Sequence, residues 1–145
     1  MYKFRTMVRD ADKYGRLITV GDDPRITSVG RWLRKFKLDE LPQLFNVFMG
    51  QMSLVGPRPE VARYVARYTR DQCRVLEVMP GITDPASICY RDENELLKGL
   101  DDPDQTYMEV IVPEKIRINL EYAKQANMLR DCAVIFRTVT KLCRT

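Results

Sequence analysis

Pro57 and Pro59 stand two residues apart in Ser53-Leu54-Val55-Gly56-Pro57-Arg58-Pro59-Glu60. Two fixed φ angles with no N–H to donate rule out regular helix across that segment. It must be an ordered loop, and Pro59 pre-sets the start of a helix predicted to run from about Pro59 to Val78. Just ahead, Lys37-Leu38-Asp39-Glu40-Leu41-Pro42 is constrained in the same way, because proline is tolerated only in a first helical turn. Asp39 suits the N-cap of that helix, and Leu41, Leu44, Phe45 and Phe48 form an apolar stripe ending at Gly50. Two carboxylates, Asp39 and Glu40, are therefore expected at a helix N-terminus.

The flanking regions read more simply. Tyr2 to Val8 alternates imperfectly as a short strand, and Tyr14-Gly15-Arg16 suggests a hairpin turn returning through Leu17 to Val20. After the loop Gly21-Asp22-Asp23-Pro24, Thr27 or Ser28 can cap a helix whose Val29, Trp32, Leu33 and Phe36 recur at helical spacing. Met79-Pro80-Gly81-Ile82-Thr83 breaks the helix that follows the proline loop. An irregular stretch from Asp84 to Pro113 then carries one short helix near residues 93–98. Residues 114–144 read as helix with a break near Asn127, placing Leu129, Cys132, Ala133, Ile135, Phe136, Val139 and Leu142 over one broad face flanked by Arg130, Arg137, Lys141 and Arg144. That face either packs on a core or lies in a membrane interface. The expected fold class is mainly α with a small N-terminal β-hairpin (α+β). It is a single domain of 145 residues: a strand or hairpin over 1–20, helices and the Gly-Pro-Arg-Pro loop over 28–78, an acidic lobe over 81–112, and a basic amphipathic segment over 114–144.

Charge is segregated along the chain. The net charge is +4 over residues 1–40, +2 over 41–80, −6 over 81–112 and +4 over 113–145. A basic face suited to phosphates or anionic lipid headgroups is expected, with the acidic lobe turned away from it; a merely solvated surface is the plainer alternative. Histidine is absent, which excludes imidazole general bases, Ser-His-Asp and Cys-His nucleophiles and His-ligated zinc. Cys73, Cys89, Cys132 and Cys143 form no CxxC pair and read as reduced thiols. No run of about 18 apolar residues occurs. The chemistry is left to carboxylates, Lys, Arg and Tyr.

On pattern alone, helix capping explains Asp39 and Glu40 best. Their company favours more: Lys3, Arg5, Arg34 and Arg58 fall at element edges or in the proline-fixed loop, where long cations suit phosphate oxygens better than packing. A carboxylate ringed by such cations can act as a nucleophile on phosphorus. Mg²⁺ with Arg and Lys would offset the repulsion between carboxylate and phosphate.

Tyr2 to Met7 (YKFRTM), Asp23 to Thr27 (DPRIT), Val29 to Glu60 (VGRWLRKFKLDELPQLFNVFMGQMSLVGPRPE) and Pro80 to Thr83 (PGIT) together resemble the bacterial sugar transferases, the monotopic polyprenol-phosphate phosphoglycosyl transferases. The likeness is close over residues 2–90. It implies transfer of a sugar 1-phosphate from a nucleotide diphosphate-sugar, usually a uridine one, to a polyprenol phosphate at the cytoplasmic face of the bacterial inner membrane. It further implies Mg²⁺ and a covalent aspartyl intermediate. By motif, Asp39 would be the nucleophile and Glu40 its partner, both serving as metal ligands, while Lys3, Arg34 and Arg58 would bind substrate phosphate. Two departures stand out. The family carries an apolar segment before the YKFRTM strand, so the chain is expected to be a catalytic domain without its anchor. After PGIT the chain has Asp84-Pro85-Ala86-Ser87-Ile88 in place of a Gly and a Gln-Val-Asn-Gly stretch, which leaves sugar and base unassigned. Two other readings are a binding module for nucleotide-sugar or anionic lipid without turnover, and a nucleic-acid binder. No binding-fold signature supports nucleic acid, which is not expected as a partner.

Overall fold

The computed structural model describes residues 1–11, 19 and 23–143. It is mainly helical, with one small parallel sheet. Helix α1 (Ser28–Lys35) starts where Thr27 accepts the Gly30 N–H through its hydroxyl, and ends with Arg34 and Lys35 against the negative end of the dipole. A 3₁₀ turn at Leu38–Glu40 leads to α2 (Gln43–Phe48) and strand β1 (Ser53–Val55). Then come α3 (Ala62–Val65), a 3₁₀ stretch at Gln72–Glu77, β2 (Gly81–Thr83), α4 (Pro85–Cys89), α5 (Glu93–Leu96) and α6 (Pro103–Thr106). A π turn at Tyr107–Ile111 runs into α7 (Val112–Ala123), and α8 (Met128–Cys143) follows the expected break.

The sheet is not the predicted hairpin. β1 and β2 pair in parallel, Ser53 with Gly81 and Val55 with Thr83. Among the described residues, the first strand is reduced to one antiparallel bridge between Met7 and Ile26. The predicted turn at Tyr14-Gly15-Arg16, the return residues other than Thr19, and Arg144 lie outside the described residues. Because β1 and β2 run the same way, the Gly-Pro-Arg-Pro loop and Asp84 emerge side by side from their C-terminal ends. The strands are drawn close at Gly56 and Gly81, where a Cβ on Gly81 would lie 2.1 Å from the Gly56 nitrogen.

One further expectation changes. The helix predicted over 59–78 is broken, because Thr69 and Gln72 exchange side-chain hydrogen bonds with each other's backbone N–H and start a new turn. The acidic stretch supplies Leu97, Tyr107, Met108, Ile111 and Val112 to the core, which they share with Tyr64, Val75 and Ile116. The apolar stripes of α1, α2 and α8 face outward: Trp32 is 56% exposed, Phe48 91% and Phe136 70%. In α2 the buried residues are the polar Gln43 and Asn46.

Residues 2–7 are held against α1 and α2 by backbone approach. Asn46 accepts the Tyr2 N–H at 2.8 Å, the Asp39 carbonyl accepts the Phe4 N–H at 2.9 Å, and the Thr6 carbonyl lies 2.0 Å from where a Cβ on Gly30 would stand. Gly30→Ala is therefore expected to push this segment off α1. It should cost about 3 kcal/mol of stability, read as a lowered denaturation midpoint.

Candidate functional site

The 3₁₀ turn at Leu38–Glu40 buries both carboxylates, Asp39 at 1% and Glu40 at 7% exposure. Asp39 does not cap α2, as its position in sequence had suggested; the turn sets it ahead of that helix, which Pro42 begins without a side-chain cap. The Phe4–Asp39 backbone bond lays the N-terminal segment along the turn and delivers Lys3. Its ammonium lies 3.1 Å from Asp39 Oδ2 and 3.6 Å from Glu40 Oε1. From the other side Arg58, carried on the loop that follows β1, grips Glu40 as a fork. Nη1 donates to Oε2 at 3.0 Å and Nη2 to Oε1.

Burial opposes ionisation of Glu40, but the hydrogen bonds and charge of Arg58, with Lys37 and Lys3 behind them, outweigh it and hold the carboxyl below its ordinary value. Arg58 is likewise desolvated, and Glu40, Asp84 and Glu60 more than restore its charge. One oxygen is left over. Asp39 Oδ1 is buried and has no hydrogen-bond partner among the described residues.

Arg34 stands apart from this ion-pair cluster. It donates to the hydroxyls of Thr6 at 2.8 Å and Thr19 at 3.2 Å, and desolvation lowers its pKa while the charges of Asp39 and Asp23 resist. It adds positive potential near the dyad and props the segment carrying Lys3. Glu40 and Arg58 also border a cavity of about 380 Å³ with an apolar wall that includes Leu38, Leu41 and Leu44 and a cationic rim of Lys37, Lys115 and Lys141.

The profile of the bacterial sugar transferases matches residues 1–145. The chain belongs to that family. Among related bacterial sugar transferases, EpsL of Bacillus subtilis (strain 168), an uncharacterised sugar transferase, is 51% identical over 92 residues, covering 63% of this chain and 45% of its own. The undecaprenyl-phosphate galactose phosphotransferase of Salmonella typhimurium is 34% identical over 158 aligned residues, covering 99% of this chain and 30% of its own. The UDP-glucose:undecaprenyl-phosphate glucose-1-phosphate transferase of Escherichia coli (strain K12) is 35% identical over 146 residues, covering 97% and 29%. The chain thus spans less than half the length of each of these relatives.

Of the five residues that the family motifs pointed to, Asp39, Glu40, Lys3 and Arg58 meet in one ion-paired cluster, and Arg34 stands outside it, bonded to the Thr6 and Thr19 hydroxyls. Sequence reasoning missed the groups that hold them. Thr6 and Asn46 anchor the N-terminal segment. Asp84, 1% exposed, caps α4 by accepting the Ser87 N–H at 2.9 Å, next to the Arg58 loop. Asp84 before Pro85 is a legible capping signal; nothing in the local pattern marks Thr6 or Asn46.

Proposed function

We propose that this chain moves a sugar 1-phosphate from a nucleoside diphosphate-sugar, a uridine one, to a polyprenol phosphate, with Asp39 as the covalent nucleophile. The observation that supports this most is Asp39 itself: a buried carboxylate with one oxygen unpartnered among the described residues, set among Lys3, Glu40 and Arg58. In the first step an Asp39 oxygen bonds to the phosphorus that bears the sugar. The P–O bond to the nucleoside monophosphate breaks, and its electron pair leaves with that group. In the second, an acceptor phosphate oxygen bonds to the same phosphorus, and the electron pair of the aspartyl P–O bond returns to Asp39. Lys3 and Arg58 oppose the charge that gathers around the phosphorus. Glu40, gripped by Arg58, fixes both cations in place.

Magnesium fits this arrangement. Asp39 Oδ1 is a carboxylate oxygen with no partner among the described residues, beside the carboxylate of Glu40. That matches a cation held by one or two carboxylates together with substrate phosphates. Asp39 and Glu40 would hold it, and it would draw charge from the phosphate oxygens.

Incubation with Mg²⁺ and uridine diphosphate-sugars, followed by intact-mass and peptide mapping, tests the reading. A gain of one sugar phosphate on the peptide containing Asp39 is expected. No adduct, with a donor still bound, would make the chain a binding module instead.

Phe45, Phe48, Leu129 and Phe136 are exposed, basic residues flank the last two on α8, and no described helix is long and apolar enough to cross a membrane. A chain of this kind is expected to rest on the bilayer surface, at the cytoplasmic face, where a polyprenol phosphate is reached. Binding to vesicles of anionic phospholipid should weaken about tenfold on replacing Phe45 and Phe48 by Ser, and fall as salt rises. Absence of any binding would contradict this.

A further inference from the structure

The three cations that the family motifs assign to substrate phosphate are all engaged by protein groups: Lys3 by Asp39 and Glu40, Arg58 by Glu40, Arg34 by Thr6 and Thr19. Lys37 is different. It borders the cavity beside Glu40 and Arg58 and has no hydrogen-bond or ion-pair partner for its ammonium among the described residues. Its backbone is left-handed, φ 55° and ψ 21°, two residues past the end of α1, where its N–H donates to the Arg34 carbonyl at 3.1 Å. Glycine or asparagine is the usual occupant of such a position. A long cationic side chain there is costly to the backbone, and no hydrogen bond or ion pair of its ammonium among the described residues offsets that cost.

The Lys37 residue is itself solvent-exposed, and an anion in the cavity would give its ammonium the partner that it lacks among the described residues. The Lys37 carbonyl accepts the Glu40 N–H at 3.3 Å, so the residue is built into the turn that carries the dyad, and a group bound by its ammonium is presented to that turn.

We propose that Lys37 is a phosphate ligand of this cavity, its ammonium binding a non-bridging oxygen of the phosphorylated substrate on which Asp39 acts. This rests on the phosphotransfer reading above. The donor and the acceptor of that reading both present phosphate oxygens, and the two half-reactions separate them.

The test uses the full chain, Lys37→Asn, which suits the left-handed backbone while removing the cation, and Lys37→Arg, which returns it. Lys37→Asn is expected to keep the wild-type denaturation midpoint or raise it. It should slow one half-reaction by about 20-fold or more, and Lys37→Arg should recover most of that loss. Slower appearance of the Asp39 adduct from nucleotide-sugar alone would assign Lys37 to the donor. Slower discharge of a formed adduct to polyprenol phosphate in mixed micelles would assign it to the acceptor. Both rates within twofold of wild type, or a loss that arginine does not restore, would overturn the proposal. If the wild-type chain forms no adduct, the phosphotransfer reading falls and calorimetric titration with pyrophosphate decides Lys37 by itself. Affinity about tenfold weaker in Lys37→Asn supports it; equal affinities overturn it.

Discussion

Asp39→Asn is expected to leave the chain folded and to lower formation of the sugar-phosphate adduct by at least about 10³-fold, the scale on which enzymes lose rate when a nucleophile is removed. The substitution keeps the size of a side chain that is only 1% exposed, so no cavity opens. It removes a negative charge from a buried turn that already holds Glu40 and in which one Asp39 oxygen has no partner. Leaving such a group unpaired is costly, and the neutral amide costs less than the carboxylate. Lys3 loses its 3.1 Å partner but keeps Glu40 at 3.6 Å. The denaturation midpoint should therefore stay level or rise slightly while the adduct disappears, a separation expected of a residue whose place in the fold is set by reactivity. Wild-type adduct formation by Asp39→Asn would move the nucleophile elsewhere. A collapsed midpoint would make Asp39 structural.

The site was more legible in sequence than the packing that holds it. Adjacent carboxylates before a proline, and cations placed where packing gains little, are chemical signals carried by single residue types, and the structure gathers four of the five. Periodicity left the burial of α2 open. Leu41, Leu44, Phe45 and Phe48 recur at helical spacing whether their face meets a core or a bilayer, and the spacing is silent about which. Their exposure could have been read from the other face, since Gln43 and Asn46 are amides suited to binding backbone, and Asn46 does so with Tyr2. The acidic stretch hid its core for another reason. Its charges, the buried Asp84 apart, sit on exposed or part-exposed positions, while Leu97, Tyr107, Met108, Ile111 and Val112 are scattered over helices and a π turn that obey no single period. Strands of three residues, as in β1 and β2, carry no alternation long enough to detect. The break at Thr69 was legible as a capping box, Thr-Arg-Asp-Gln.

Arg58→Met is expected to destabilise the chain by about 2 to 3 kcal/mol at neutral pH. The reason is the carboxylate it leaves behind more than the contact it removes. Glu40 is 7% exposed and owes its depressed pKa chiefly to Arg58, against a burial effect that runs the other way. The figure is at the low end for a broken buried pair because the Arg58 side chain is a third exposed and Lys3 remains close to Glu40. The pH dependence separates this from simple loss of packing. In the wild type the Glu40 pKa lies below its ordinary value of 4.5, so its contribution is complete above that value and is lost as pH falls through the lower folded pKa. In Arg58→Met the burial effect is no longer outweighed and the folded pKa moves up. The variant then holds the proton more tightly than its unfolded chain, and acid stabilises it. The gap between the two proteins should be widest near pH 7 and close as pH falls toward 4.5. Glu40→Gln should remove most of the pH dependence, and the double substitution should cost about 2 kcal/mol less than the two single ones added together. A gap constant from pH 4 to 7 would mean that Arg58 supports the proline loop through packing, with its charge uninvolved.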